Sequence, residues 1–295
     1  MRLWRACPAD VAQLVEQRFR KPQVTGSNPV VGSIGQMSTS ANSVSIIVPT
    51  LNEQENIAPL VSQIAAGAVP FREILFVDGH STDGTRDKIR ALKGNQPIRL
   101  IEQDDADIGL AGAIMSGARA AQGEILLVMD ADLSHPPERI NDLLAPLLAG
   151  MADLVVGSRY VKGGSTPGWP IWRRMLSRAG AALAYPLTGV HDSMCGFFAI
   201  ARSQLLELAP QTSGFKIVFE TIVRSGRTLR VCEIPIAFRN RVRGKSKMSF
   251  DIALRFFFHW LRATFQHFLR GPHNRQQISR PAIGNVSANA ESFRE

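Results

Sequence analysis

The sequence predicts a doubly wound α/β fold built on a mostly parallel central sheet. Three observations lead there. Short β-branched or aliphatic runs alternate with stretches of helical spacing between residues 44 and 157. The runs are apolar throughout, as in strands buried on both faces. Acidic residues stand just past several of them, at the carboxyl edge where open α/β sheets bind ligands.

The elements follow in order. Val44–Thr50, VSIIVPT, reads as a strand that Pro49 stops. Residues 52–63 have helical spacing, with Ile57, Leu60, Val61 and Ile64 on one face. Residues 73–77, EILFV, form a second buried strand, and the polar segment from Asp78 to Thr85 is a loop feeding a helix at 86–92. Ile98–Glu102 is a third strand. Residues 109–121, rich in small side chains, predict a helix packed closely on the sheet or on a ligand. In EILLVMDADLSHPPER, the run Ile125 to Met129 is too short for a typical helix and reads as a fourth strand, ending abruptly in Asp130-Ala131-Asp132. Pro136-Pro137-Glu138 opens a helix, and residues 153–157 are a fifth strand. Beyond residue 160 come loops, helices and short mixed strands, read as the second-substrate half of the same domain. The organisation expected is a non-native or disordered extension over 1–42, one α/β domain over 43–250, an amphipathic helix over 251–270 and a disordered tail over 271–295.

The net charge of +9 is only partly informative. Arg2, Arg5, Arg18, Arg20 and Lys21, against Asp10 and Glu16, supply +3 of it before residue 37. The remaining +6 includes the dense run RNRVRGKSK at 239–247, which suits nucleic acid, anionic lipid or a phosphorylated substrate equally. Cys7, Cys195 and Cys232 are odd in number and lack metal spacing, which argues for a reducing compartment. No uncharged apolar stretch approaches the roughly 20 residues that cross a bilayer. No apolar h-region of a signal peptide precedes residue 37. The segment VAQLVEQRFRKPQVTGSNPV resembles an accidental translation of a transfer-RNA gene, and a native start at Met37 is expected.

The chemistry starts from what is missing. No G-x-G-x-x-G follows the first strand, and no Walker A loop occurs. Glu53, Asp78 and the pair Asp130/Asp132 stand at three strand ends instead. Such carboxylates can accept ribose hydroxyls and base N–H groups or hold a metal. A lone D-x-D more often opens a turn and caps a helix. Two acids at i and i+2 otherwise call for something positive between them, and a divalent cation carrying a diphosphate fits.

V-P-T-L-N-E, F-V-D-G-H-S-T-D-G-T, G-L-A-G-A, M-D-A-D-L-S-H-P-P-E, V-G-S-R-Y and R-V-R-G-K-S-K occur here in that order, spanning roughly Ser43 to Lys247. The set resembles the dolichol-phosphate mannosyltransferases, inverting family 2 glycosyltransferases of the GT-A fold. The resemblance implies a nucleotide sugar, most often GDP-mannose, held by Pro49, Leu51, Glu53, Val77, Asp78, Asp130 and Ala131. The family usually has an aromatic residue at the position of Leu51 and commonly a second acid at that of Gly79, so the base stays open, with UDP-glucose or another nucleotide sugar as alternatives. Glu53 has a second reading, as an acid in the first turn of a helix.

Asp130, Asp132 and Ser134 would bind Mg²⁺ or Mn²⁺, since oxygen donors select hard cations. His135 is expected to cap or pack beside Pro136 rather than ligate. The acceptor implied is a polyprenyl phosphate. Arg159, Arg173 and Ser177 occupy the family's phosphate-contact positions, and Arg174 and Arg178 read as a solvated or lipid-facing stripe. Arg241 and Lys247 would neutralise the leaving diphosphate, with a solvated hairpin edge as the alternative for that run. Asp192 matches an acidic position near the sugar or acceptor, where sugar-hydroxyl contacts are expected. The residues carrying catalysis are then Asp132, Arg241, Lys247 and Asp192, and a buried structural thiol is the reading of Cys195.

A lipid acceptor requires a route to the membrane. Residues 251–270 place Leu254, Phe257, Phe258, Leu261, Phe265 and Phe268 on one helical face and Arg255, His259, Arg262 and Gln266 on the other. This suits an interfacial helix, or a helix docked on the core. A peripheral enzyme at the cytoplasmic face is expected, with room for a membrane-anchoring partner and no nucleic-acid role. The other class left open is a non-catalytic nucleotide- or lipid-binding module.

Overall fold

The computed structural model describes residues 43–240, apart from 68–69, 93, 95–96, 105–108, 210–215 and 227. Arg241, Lys247, the expected extension before residue 43, the helix expected at 251–270 and the tail after it lie outside the described residues.

The expected alternation forms the first half of a seven-stranded sheet. It runs β1 (Val44–Thr50), α1 (Gln54–Ala65), β2 (Glu73–Asp78), α2 (Thr85–Leu92), β3 (Ile98–Glu102), α3 (Leu110–Ala120) and β4 (Ile125–Val128). A 3₁₀ turn at Pro137–Arg139 leads into α4 (Ile140–Leu148) and then β5 (Leu154–Ser158). The second half holds α5 (Ile171–Thr188), β6 (Phe198–Ala201), α6 (Arg202–Leu208), α7 (Ile217–Arg224) and β7 (Val231–Pro235). The strand order is β3-β2-β1-β4-β6-β5-β7. Every pairing is parallel except those of β6, which runs antiparallel between β4 and β5.

Local chemistry explains the elements. Ile57, Leu60, Val61 and Ile64 of α1 are buried as their spacing predicts. Gly117 lets α3 lie directly on the sheet, because a Cβ there would come within 2.7 Å of Ile47 Cγ2. β1 runs one residue past Pro49 rather than stopping there, with Pro49 in register with Val77. Pairing with β4 ends at Ile47↔Val128, and the Ile47 carbonyl accepts from Met129 N–H on that side. Pro49 points the same way, past the end of β4, so no ladder bond is lost.

The antiparallel β6 is the feature that the alternation does not predict. Phe198 pairs with both Val128 and Val156, so β6 begins at the edge where β4 ends. The residues before it, Asp192 to Phe197, are thereby delivered beside Asp130. One core of aliphatic side chains, with Phe76, Phe197 and Phe198 fully buried, fills both faces of the sheet.

Candidate active site

Three loops at the carboxyl ends of β1, β2 and β4 form one side of the site. Asn52, His80 and Leu133, one in each loop, are the described non-glycine residues with positive φ (56°, 63° and 61°). Left-handed backbone at non-glycine residues costs free energy and gathers at functional loops. The first two loops are knitted together. Asn52 N–H donates to Ser81 Oγ (2.9 Å), Thr82 N–H donates to Asn52 Oδ1 (2.8 Å), and Glu53 N–H donates to Thr85 Oγ1 (2.9 Å). Asp78 is buried and accepts from Ser81 N–H (2.9 Å) and Ser81 O–H (2.5 Å), with Arg86 Nε 3.8 Å away. Glu53 sits at the start of α1 and accepts from Asn56 Nδ2 at 2.7 Å. Leu51 is exposed beside them, while Val77 is fully buried, its carbonyl accepting from Thr50 Oγ1. A Cβ at Gly79 would stand 3.1 Å from Gln103 Oε1, so an acid at that position would require Gln103 to move.

The third loop carries the D-A-D. Asp132 does not cap the following helix, since Pro136 precedes the 3₁₀ turn and no side chain caps it. Instead Asp132, nearly fully buried, accepts the Ser134 N–H through Oδ1 (3.0 Å). Ala131 is buried between the two acids, and Asp130 keeps a partly exposed carboxylate. Ser134 Oγ is buried and has no hydrogen-bond partner among the described residues. Two carboxylates and an unpartnered hydroxyl on one five-residue loop fit a hard divalent cation. His135 packs rather than ligates. Its ring is buried, stacks on Phe197 and meets Phe238 edge-on, and Nδ1 accepts the Asp130 N–H at 3.0 Å. Burial holds its pKa below the ordinary imidazole value although Asp130 and Asp132 pull the other way.

Across the edge, the cationic side is held by charge and aromatic faces. Arg159 follows β5 and forms a bidentate pair with Asp192, Nε to Oδ2 and Nη2 to Oδ1 both at 2.7 Å, and its backbone N–H also donates to Oδ2. Burial opposes the guanidinium charge, but the bonds and charge of Asp192 outweigh it and raise the Arg159 pKa. The guanidinium also lies over Tyr160, Trp169 and Phe238, 5.1–5.6 Å from each centroid. Tyr160 O–H donates to Ser177 Oγ at 2.5 Å.

A cavity of about 230 Å³ opens here, lined by Arg159, Tyr160, Gly164–Pro167, Arg174 and Arg178. Arg173 turns onto the Trp169 face instead, 4.1 Å from its centroid. The solvated or lipid-facing stripe expected of Arg174 and Arg178 takes a more specific form: the two residues, four apart, line the mouth of the cavity, with Arg174 half-buried and Arg178 exposed. Their helical neighbours Ala181 and Ala184 are buried, and that pattern could have revealed the inward face. Asp192 is fully buried behind Arg159, which makes it the holder of an arginine rather than a surface for sugar hydroxyls. Burial pushes the Cys195 thiol up to about 12, with the Asp192 charge adding to it, as befits a structural thiol. Sequence reasoning missed Trp169 and Phe238, whose roles depend on contacts that no local motif announces.

The segment after β7 returns to the D-A-D loop. Arg239 N–H donates to the Ser134 carbonyl at 3.0 Å, and Asn240 Nδ2 donates to the Gly168 carbonyl at 3.1 Å. The next residue in the chain is Arg241.

Comparison with known proteins gives the family and the fold. The family model described as glycosyl transferase family 2 matches residues 45–225. The chain is 37% identical over 210 residues to a dolichol-phosphate mannosyltransferase of Pyrococcus furiosus, covering 70% of this chain but only 59% of that protein. It is 35% identical to the dolichol-phosphate mannosyltransferase of Saccharomyces cerevisiae, covering 72% and 83% of the two chains. With the undecaprenyl-phosphate mannosyltransferase of Micrococcus luteus it shares 36% identity, covering 69% and 86%. Among solved structures, glucosyl-3-phosphoglycerate synthase of Mycobacterium tuberculosis, in complex with Mn²⁺, UDP-glucose and phosphoglyceric acid, superposes with a TM-score of 0.57 at 19% identity, over 76% of this chain and 79% of that one. That likeness shows the shared GT-A-type fold. With more than half its length matched, the chain belongs to glycosyl transferase family 2.

Proposed function

We propose that this glycosyltransferase moves a hexose, mannose from GDP-mannose, onto the phosphate of a polyprenyl phosphate with inversion at the anomeric carbon. The names of its relatives support the donor and acceptor classes. The observation that carries the acceptor class lies on α5. One side of this helix gives Arg174 and Arg178 to the cavity, while Ile171, Trp172, Met175 and Leu176 stand 53–73% exposed on another. A cationic recess bordered by an exposed apolar face suits a phosphate attached to a lipid. The same face is the described surface by which the protein would meet a membrane. Among the described residues no helix is long and apolar enough to cross one. Attachment at the cytoplasmic face suits the buried thiols of Cys195 and Cys232, neither of them in a disulfide.

The acceptor phosphate is anionic at neutral pH, so the reaction needs no general base. Its oxygen attacks the anomeric carbon as the bond to the nucleoside diphosphate breaks, and the electron pair leaves on the diphosphate oxygen. Arg159, fixed by Asp192, with Arg174 and Arg178, orients the attacking phosphate. Arg173, seated on Trp169, and Ser177, bonded to Tyr160, brace that side from the same helix. Asp130, Asp132 and Ser134 would hold Mg²⁺ or Mn²⁺, which supplies charge neutralisation on the diphosphate. Arg241 and Lys247, just beyond the segment tied to Ser134, add to it. Pro49, Leu51, Glu53, Val77, Asp78 and Ala131 surround the nucleoside.

UDP-glucose is the second donor reading, left open by Leu51 and Gly79 where the family's usual residues are absent. The deciding experiment offers GDP-mannose and UDP-glucose with either a polyprenyl phosphate or 3-phosphoglycerate, with and without chelator. Chelator-sensitive transfer from GDP-mannose to the lipid is expected. Transfer to phosphoglycerate alone overturns the acceptor assignment, and no transfer from any nucleotide sugar leaves the binding-module reading.

A further inference from the structure

We propose that His135 is a positioning residue for the diphosphate loop, holding the Asp130 backbone through Nδ1 while Phe197 and Phe238 fix its ring. The inference rests on the metal–diphosphate reading of Asp130–Ser134 and deepens it.

The hydrogen bond from Asp130 N–H to His135 Nδ1, 3.0 Å long, closes a six-residue loop on itself. Inside that loop, Leu133 is left-handed and Ser134 N–H is tied back to Asp132 Oδ1. Both candidate ligand carboxylates therefore sit between two backbone-fixing bonds. The ring itself is immobilised. Phe197 stacks on it at 5.2 Å and 17°, Phe238 meets it at 5.3 Å and 78°, and Cys195 Sγ lies 3.9 Å from Nε2. Since Nδ1 accepts an N–H, the neutral ring carries its proton on Nε2, on the Cys195 side. Asp130 Oδ2, 3.7 Å from Nδ1, receives no proton from it and stays available to a cation.

The site also explains the residue type. Asparagine offers an acceptor in nearly the same place but no ring, and phenylalanine offers the ring without the acceptor. Imidazole supplies both. Phe238 adds a link, because it also touches Trp169 edge-on and lies beneath Arg159, and its neighbour Arg239 donates to Ser134 O. The wall of the acceptor cavity and the diphosphate loop thus lean on one imidazole.

The test separates holding the loop from filling space. His135→Phe and His135→Asn are compared with the wild type by thermal unfolding and by Mn²⁺ binding in the presence of GDP, followed by electron paramagnetic resonance of free Mn²⁺. His135→Phe keeps the aromatic packing and should be the more stable variant. Its Mn²⁺ dissociation constant should nevertheless rise about tenfold, the effect of one lost buried hydrogen bond. His135→Asn should be less stable yet bind within about threefold of the wild type. Affinities that follow the stability order overturn the proposal, because a packing role predicts that order. If either variant fails to fold, ¹⁵N NMR of histidine-labelled wild-type protein decides: an unprotonated, hydrogen-bonded Nδ1 is expected, and a protonated one overturns it. A wild-type protein that does not bind Mn²⁺ with GDP removes the diphosphate reading itself, and is told apart by leaving that NMR signature in place.

Discussion

The two sides of the site are built by different physics. On the side proposed for the nucleotide, acidic side chains are held by their own loops: Asp78 by Ser81, Asp132 by Ser134 N–H, and Asp130 through the bond of its N–H to His135. These partners stand two to five residues away. On the side proposed for the acceptor, cations are held by partners from distant segments. Arg159 meets Asp192 across 33 residues and Phe238 across more, while Tyr160 reaches Ser177 on α5. A carboxylate in a short loop can be fixed by the backbone it interrupts. A buried guanidinium needs a counter-charge and flat surfaces, which only tertiary structure supplies. The acceptor side should therefore fail as structure when cut, and the nucleotide side should fail as chemistry.

The sharpest way to break that contrast is Asp192→Ala. It leaves Arg159 buried without its carboxylate, and removing one partner of such a pair costs about 3–5 kcal/mol. Urea unfolding should show a loss of this size. The double variant Arg159→Met with Asp192→Leu should recover most of the stability, since a buried ion pair replaced by apolar groups is often neutral, yet it should not recover transfer. Recovery of transfer would remove Arg159 from the phosphate site.

On the nucleotide side, Asp132→Asn should reverse the pattern. The amide keeps an acceptor for Ser134 N–H, so the melting temperature should change little. Transfer should fall roughly 10²–10³-fold, as when preorganised charge stabilisation is removed. A large drop in stability with residual turnover would show that the carboxylate is structural and that the two sides do not differ as argued.

The same difference decides how much was legible in the chain. The strands, their order of appearance and the acids after β1, β2 and β4 are local signals, and the structure carries them with end shifts of one or two residues. The antiparallel β6 escaped because FAIA is four apolar residues, and nothing in four residues gives strand direction. On α5 the spacing of single residues did not show the arrangement: Ile171, Trp172, Met175 and Leu176 are exposed, whereas Arg174 and Arg178 border the cavity. A helix that turns cations to a cavity and leaves apolar residues exposed inverts the usual pattern. The pairing of Arg159 with Asp192 has no local signature at all, so Asp192 read as a sugar contact from the family resemblance alone.

A smaller effect tests the outward face of α5. Trp172→Ser with Leu176→Ser removes two exposed apolar side chains without touching the cavity, so the fold and the affinity for inorganic phosphate should hold. Binding to anionic vesicles should weaken by about tenfold, within what two partly buried side chains supply. Vesicle binding indistinguishable from the wild type would assign membrane contact to some other part of the chain.

The smallest expected effect comes from the opposite end of the sheet, where acid and base serve the fold alone. Glu73, at the amino end of β2, is buried and accepts from Ser45 Oγ (2.7 Å), Gln122 N–H (2.6 Å) and Arg99 Nη1 (2.7 Å). Arg99 goes on to the Ala120 carbonyl, and Ser45 Oγ accepts from Gly123 N–H, so one carboxylate fastens β1, β3 and the end of α3. Burial opposes its ionisation, but the Gln122 N–H, Arg99 and Ser45 outweigh burial and leave the pKa below the ordinary 4.5. A depressed folded-state pKa contributes stability that is fully present above the unfolded value and is lost as pH falls through the folded one. Glu73→Gln keeps the acceptor oxygen and loses the charge toward a half-exposed Arg99, so it should cost about 1 kcal/mol at neutral pH. The difference from the wild type should shrink as pH drops below about 4.5, and kcat should stay unchanged throughout. A change in transfer at constant stability would mean that the two edges of the sheet are coupled, and the division between structural and chemical acids would then have to be redrawn.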